Sequence, residues 1–231
     1  MIQLQHLHKS YQLGHHTVHA INDISLTIQT GELVALIGTS GSGKTSTMNI
    51  IGLLDKPDSG HYYLNGEEVS QLSDDEAARF RNQSLGFIFQ LFFLLPRLNA
   101  WENVALPLTY RGLARDEMRQ KALDSLAQVG LADLYDHRPN QLSGGQQQRV
   151  AIARALVGKP HIILADEPTG SLDSKTGQSI MDLLTEINQR EKTTVIIVTH
   201  DIHVAEQCNR IIQIADGKIV RDEQHRAGDR L

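Results

Sequence analysis

Cysteine is nearly missing from this sequence: Cys208 is the only one in 231 residues. A single thiol closes no internal disulfide, so the fold does not depend on an oxidising compartment, and Cys208 reads as a small buried hydrophobe. Long apolar runs are missing too; none reaches the ~20 residues that a membrane helix needs. The opening Met1-Ile2-Gln3-Leu4-Gln5-His6 lacks the charged and apolar regions of a secretory leader. These absences predict a cytoplasmic chain with no direct membrane insertion. If it works at a membrane, a partner must cross it. There is no basic excess either: the formal net charge is −5, which argues against a protein that coats nucleic acid. Internal repeats, low-complexity stretches and obvious linkers are absent, which suits one domain or one domain with an inserted lobe.

What is present is an alternation of short apolar runs with helical periods. Residues up to about Gln29 read as strands. Glu32–Gly38 is an apolar run closed by glycine, as expected of a buried strand. A helical pattern covers Gly43–Leu54, and Lys56-Pro57-Asp58-Ser59-Gly60 is a turn cluster. Tyr62–Val69 reads as a hairpin around Asn65-Gly66, and Leu85–Gln90 as another strand. No strand pattern occurs from about 91 to 159. There Asp116–Val129 is an amphipathic helix with Met118, Ala122, Leu126 and Val129 on one stripe, and Ser143–Val157 reads as a second. Strands return at His161–Asp166 and Thr194–Thr199, with a helix over Ser174–Arg190 between them. Strand-helix-strand order predicts an α/β fold with a mostly parallel sheet, into which the middle segment is inserted as a helical lobe.

Two segments carry chemistry. Gly38-Thr39-Ser40-Gly41-Ser42-Gly43-Lys44-Thr45 fits G-x-x-x-x-G-K-[ST] between a predicted strand and a predicted helix. Its glycines let backbone N–H groups turn toward phosphate oxygens. Lys44 supplies a cation for the β- and γ-phosphates, the Thr45 hydroxyl a ligand for Mg²⁺, and the helix start a partial positive charge. Ser46 follows in the same binding set. Ile162-Ile163-Leu164-Ala165-Asp166-Glu167 is an apolar strand ending in two carboxylates at the ligand end of the sheet. Adjacent strand residues face opposite ways, so their roles must differ. Asp166 is placed to hold Mg²⁺, and Glu167 to orient or deprotonate an attacking water.

Leu142-Ser143-Gly144-Gly145-Gln146-Gln147-Gln148-Arg149 opens another helix, with Ser143 as N-cap and glycines that expose N–H groups. It reads as a second anion site without a lysine. These residues match the signature of ATP-binding cassette (ABC) proteins, and the resemblance covers nearly the whole chain. It implies a single ABC domain over residues 1–231. The ATPase core would be 1–90 and 160–231, with an N-terminal antiparallel β part, and about 91–159 would be the helical subdomain. It implies ATP and Mg²⁺ as ligands, Tyr11 stacking on adenine, and Gln90 sensing Mg²⁺ and the membrane partner. It makes Ser171-Leu172-Asp173 the D-loop and gives His200 the γ-phosphate. In the family two copies pair head to tail on ATP. Ser143, Gly144, Gly145 and Gln146 of one copy, with its Asp173, then close over the loop of the other.

Within the family the chain is similar to the macrolide-export and lipoprotein-releasing group. The matching stretches are Phe87–Gln90, Leu94–Leu98, Glu102–Leu108, Tyr110–Leu113 and Asn140–Arg149. Leu91-Phe92-Phe93 departs from the group's polar residue followed by Phe-Asn. Leu91–Leu95 reads either as lobe core or as an apolar docking surface for a partner helix, and Trp101 leans to core. His6, His8, His15, His16 and His19 read as polar surface, since no ligand-spaced carboxylate or cysteine accompanies them. The resemblance implies an ATPase that drives separately encoded transmembrane permease subunits in export, lipoprotein release or mechanotransmission. A soluble, non-transport ABC ATPase is the alternative; such relatives usually carry two cassettes or a long coiled-coil insertion, which this chain lacks. A non-hydrolysing nucleotide-binding regulator is disfavoured by Glu167 and His200.

Overall fold

The computed structural model describes residues 1–14 and 16–224. The larger sheet is built from β3 (Leu33–Ile37), β6 (Leu85–Phe89), β7 (Ile162–Asp166), β8 (Thr194–Thr199), β9 (Arg210–Ala215) and β10 (Lys218–Gln224). Its strand order is β10-β9-β3-β8-β7-β6. Every pairing is parallel except β10 with β9. The smaller sheet is antiparallel, in the order β2-β1-β4-β5, from β1 (Ile2–Leu13), β2 (His16–Ile28), β4 (Ser59–Leu64) and β5 (Glu67–Glu68). The helices are α1 (Lys44–Ile51), α2 (Asp74–Ser84), α3 (Ala100–Thr109), α4 (Arg115–Gln128), α5 (Gly144–Leu156), α6 (Ser174–Glu191) and α7 (Ile202–Ala205).

The parallel strands are largely apolar because both faces of their sheet are covered. Side chains alternate between the faces with period two. Leu33 and Ala35 of β3, Ile163 and Ala165 of β7, and Val195 and Ile197 of β8 share one buried cluster with α3, α4, α5 and α6. Val34 and Leu36, Ile162 and Leu164, and Ile196 and Val198 join the other cluster, with α1 and the antiparallel sheet. Each fully buried Ile, Val or Leu contributes roughly 1.5–3 kcal/mol.

Helix starts follow their capping residues. Ser73 with Glu76, Asn99 with Glu102 and Ser143 with Gln146 form reciprocal capping boxes at α2, α3 and α5. Asn65 (φ 52°) and Gly66 (φ 87°) make the left-handed hairpin turn between β4 and β5. Cys208 is buried as expected, and burial pushes its thiol pKa up to about 12.

Several boundaries differ from the sequence reading. α1 stops at Ile51, and Ser59-Gly60 belongs to β4, not to the preceding turn. At Gly60 (φ 93°) a Cβ would run into the His6 carbonyl, beside an irregularity in the β1–β4 pairing, so glycine serves there as a bulge. Polarity hid α2: Ala77 is its one buried residue. The β9–β10 hairpin was also missed. Among the described residues no strand lies between β6 and β7. Of the five N-terminal histidines, His15 lies outside the described residues; His6 pairs with Asp23 and His19 with Ser10. Trp101 packs half-buried on the lobe core beneath the guanidiniums of Arg115 and Arg119.

Asn103 on α3 is fully buried and pins the segment before its own helix. Its Nδ2 donates to the carbonyls of Leu95, Leu98 and Asn99, and its Oδ1 accepts from Leu95 N–H. Asn103→Leu should strand several buried polar groups and destabilise the chain by about 2–4 kcal/mol, read as a lowered urea midpoint with unchanged slope.

Candidate active site

Strand register brings the chemical residues together. Phe89 of β6 pairs with Asp166 of β7, Asp166 with Val198 of β8, and Thr199 of β8 with Ile37 of β3. The next residues along each strand are Gln90, Glu167, His200 and Gly38. Four dispersed segments thus meet along one edge, outside the carboxyl ends of parallel strands.

The loop from Gly38 to Gly43 is bounded by two glycines with no room for a side chain. A Cβ on Gly38 (φ 156°) would lie 2.6 Å from Ser42 Oγ and collide with the Ile214 carbonyl. One on Gly43 (φ 108°) would collide with the Ala20 carbonyl. α1 then begins with no side-chain cap and no acidic residue in its first turn. Its start therefore presents unpaired N–H groups and a partial positive charge. Lys44 is buried and bonds the carbonyls of Gly38 and Thr39, each at 2.8 Å. Ser42 Oγ is buried without a partner. An uncapped helix start, an orphaned hydroxyl and an ammonium on the same loop fit a polyanion such as a nucleotide phosphate chain. Thr45 is exposed on the first turn, free to meet a ligand. From behind, Gly217 N–H donates to the Ser42 carbonyl, and Asn22 N–H to the Gly217 carbonyl. The β9–β10 turn thus buttresses the loop. The Asp216-Gly217 dipeptide was the available signal for it.

Tyr11 lies in β1, half-buried. Its hydroxyl donates to Asp55 at 2.7 Å and also meets the Ser46 side chain, while the Lys9 ammonium sits 5.4 Å from the ring centroid. Burial and the bond to Asp55 raise its pKa above that of an ordinary tyrosine. This contact joins Tyr11 to the first turn of α1.

Glu167 has a left-handed backbone (φ 45°), and its N–H donates to the Val198 carbonyl. Its carboxylate accepts from Thr199 Oγ1 at 2.9 Å, His200 N–H at 2.9 Å and His200 Nδ1 at 2.5 Å. With Nδ1 donating, Nε2 is the imidazole nitrogen left to face a ligand. Thr199 escaped the sequence reading, although it directly precedes His200. Burial, and then the neighbouring Glu167 charge, raise the pKa of Asp166; Lys44 opposes this. A cation bound beside Asp166 would lower that pKa again, so the donor set of Thr45, Gln90 and Asp166 fits Mg²⁺. Gln90 is exposed, its carbonyl takes the Ser171 hydroxyl at 2.9 Å, and its amide lies against Gly170.

Ser143–Gln146 forms the capped start of α5, with Ser143 and Gly144 exposed and Gly145 and Gln146 partly buried. Here a Cβ on Gly145 would collide with Thr176, and one on Gly144 would touch Leu172 at 3.4 Å. Asp173 caps α6, accepting from Thr176 N–H at 3.0 Å.

Residues 21–170 match the protein family described as ABC transporter. The chain belongs to that family. It is an ABC ATPase, an ATP-binding and ATP-hydrolysing subunit. It is 54% identical to the ABC transporter ATP-binding protein YknY of Bacillus subtilis, over 95% of both chains. It is 49% identical to the macrolide export ATP-binding/permease protein MacB of Shewanella sp. strain ANA-3, over 99% of this chain but 35% of that protein. The cassette MJ0796, whose sequence is from Methanocaldococcus jannaschii, has a dimeric structure described as a post-hydrolysis state bound to ADP and Pi. That structure matches with a TM-score of 0.90 at 47% identity, covering 98% of this chain and all of that one.

Asp166 gives a stability signature in metal-free, nucleotide-free ABC protein. Its folded pKa is raised, so the native state favours the protonated form. Stability is therefore lost as pH rises from the ordinary aspartate value of 3.8 through the raised one. Asp166→Asn should abolish that loss and gain up to about 1 kcal/mol at neutral pH, a figure limited by the half-exposed, solvent-screened position. Thermal melts from pH 4 to 8 check it; a variant less stable than wild type at pH 7 would reject this account.

Proposed function

We propose that the chain is the motor subunit of a membrane transporter of the macrolide-export and lipoprotein-releasing type, and that its active site is completed by a second copy. The convergence of Gly38–Thr45, Asp166-Glu167, Gln90 and His200 on one strand edge carries this reading. The loop would hold the ATP phosphates on its N–H groups, Lys44 and the first turn of α1, which includes Ser46. Tyr11 would stack on adenine. Mg²⁺ held by Thr45, Gln90 and Asp166 would neutralise phosphate charge. Glu167, gripped by Thr199 and His200, would take the proton from the attacking water, while His200 Nε2 meets the γ-phosphate.

The exposed capped start of α5 and the dimeric MJ0796 cassette support head-to-tail pairing. Ser143–Gln146 and Asp173 of one copy would then cover the other's nucleotide. Residues 91–159 would act as the helical subdomain, and the remainder as the ATPase core.

Beside Gln90, the loop 91–95 supports a membrane partner. Leu91, Phe93 and Leu95 are exposed, so the lobe-core reading fails for them. Phe92 and Phe93 both have left-handed backbones, and Arg154 of α5 clamps their carbonyls at 2.8 and 2.7 Å. Phe93 packs edge-on against Phe89 at the mouth of a cleft of about 1140 Å³, lined also by Phe87, Pro107, Tyr110 and Arg111. A permease helix would dock there. No helix of the described residues is long and apolar enough to cross a membrane. The chain would therefore sit on the cytoplasmic face, held by that permease.

Glu167→Gln should cut turnover by at least about 100-fold and trap an ATP-bound dimer on size exclusion. Normal turnover would remove Glu167 from the role of base. Lys44→Ala should lose nucleotide binding and activity together. Pull-down from membranes should recover a four-helix permease with a large periplasmic domain; recovery of a solute-importer permease would overturn the group assignment.

A further inference from the structure

We propose that Gln148 is a positioning residue that ties the exposed first turn of α5 to the Glu167 carboxylate of its own chain. The proposal rests on the reading of Glu167 as base and of Ser143–Gln146 as the part that covers a second copy's nucleotide.

Gln148 is fully buried, and its Nε2 donates to the Pro168 carbonyl at 2.5 Å. Its Oε1 is buried with no partner. An orphaned acceptor is costly, so the amide satisfies only half of its own hydrogen-bonding capacity here. What the amide provides is a donor to one particular carbonyl. Pro168 is buried and has no N–H to donate, so its carbonyl is the polar handle on the turn that follows Glu167. On the other side of that turn, Thr199 and His200 hold the Glu167 carboxylate. The turn is gripped from both directions, and Glu167 keeps its left-handed φ of 45° between the grips.

The same face of α5 carries Gly144, Gly145 and Gln148, spaced i, i+1 and i+4. Gly145 lets Thr176 of α6 approach to backbone contact, and Gly144 meets Leu172. The start of α5, the start of α6 and the Pro168 turn are therefore packed as one body. When the start of α5 seats on a second copy's nucleotide, Gln148 passes that displacement to Pro168 and so to Glu167. Each chain's base would thereby register whether the chain has closed on its partner.

The test is Gln148→Met, which keeps length and removes the donor. Turnover should fall roughly tenfold, about one aligned hydrogen bond's worth of rate. The KM for ATP should not change, and the melting temperature should move little, because the variant removes the orphaned Oε1 but leaves the Pro168 carbonyl without its donor. In the Glu167→Gln background, Gln148→Met should still form the ATP-bound dimer. Gln148→Leu, which also removes the donor and introduces no charge, should lower turnover in the same way if the methionine variant folds poorly. Wild-type turnover in both variants would overturn the proposal, as would a loss that tracks a lowered melting temperature or loss of the dimer. If Glu167→Gln alone turns over normally, the reading of Glu167 fails. If that variant is inactive while Gln148→Met is unaffected, only the coupling through Gln148 fails.

Discussion

Everything at the site depends on the register of one buried parallel sheet. β6, β7, β8 and β3 run in the same direction, and their last residues lie within one residue of level. The sheet can hold that register because both faces are packed. A slip of one residue would send Leu33, Ile163 and Val195 to the face now filled by Val34, Ile162 and Ile196. Two differently shaped clusters would then each receive the wrong side chains. The hydrophobic pattern is thus what places Gln90, Glu167, His200 and Gly38 within reach of one ligand, although none of these residues is hydrophobic.

On that frame, the site keeps local arrangements that the rest of the fold avoids. A left-handed glutamate costs on the order of 1–2 kcal/mol. Asp166 and Glu167 put two carboxylates side by side in a half-buried place. Ser42 keeps a hydroxyl without a partner. Each departs from what stability alone would select, and each faces the same edge. Glu167 is held by a backbone bond to Val198 and three donors to its carboxylate, which together outweigh its strained backbone. Asp166 is offset only in part, by Lys44, and its raised pKa records the remainder. A divalent cation would complete that balance.

Much of this was legible in the sequence because the decisive residues sit at the ends of recognisable runs. Gly38–Thr45 follows an apolar strand, and Asp166-Glu167 ends one. The capping pair Ser143 and Gln146 is a sequence signal in its own right. Other parts were not legible for physical reasons. α2 buries a single alanine, so it has no stripe to detect. Strand β10 is almost wholly exposed, and its pairing with β9 comes from the turn at Asp216-Gly217 rather than from an apolar pattern. Thr199 reaches Glu167 across two strands, 32 positions away in sequence, and no local spacing encodes that. The division of Leu91–Leu95 between core and surface required the structure: Leu94 packs against the lobe core, while Leu91, Phe93 and Leu95 are exposed. Apolar composition is the same in both cases, and Arg154, 61 and 62 positions away from Phe93 and Phe92, fixes the turn that divides them by holding both carbonyls.

α5 gathers these long-range ties. Its first turn is the exposed capped segment, its second reaches Pro168 through Gln148, and its last holds Phe92 and Phe93 through Arg154. A helix is stiff along its axis because its hydrogen bonds run that way, so displacement at one end is delivered to the other with little loss. A subunit that does mechanical work needs such an element. The start of α5 faces outward, where a second copy can press on it. The residues it holds are the turn after the proposed base and the apolar loop beside the cleft. A chain with only the phosphate loop and acidic pair could bind and cleave a nucleotide. In the proposed head-to-tail pairing, the three attachments along α5 would give nucleotide-driven closure a route to a surface where a partner could feel it.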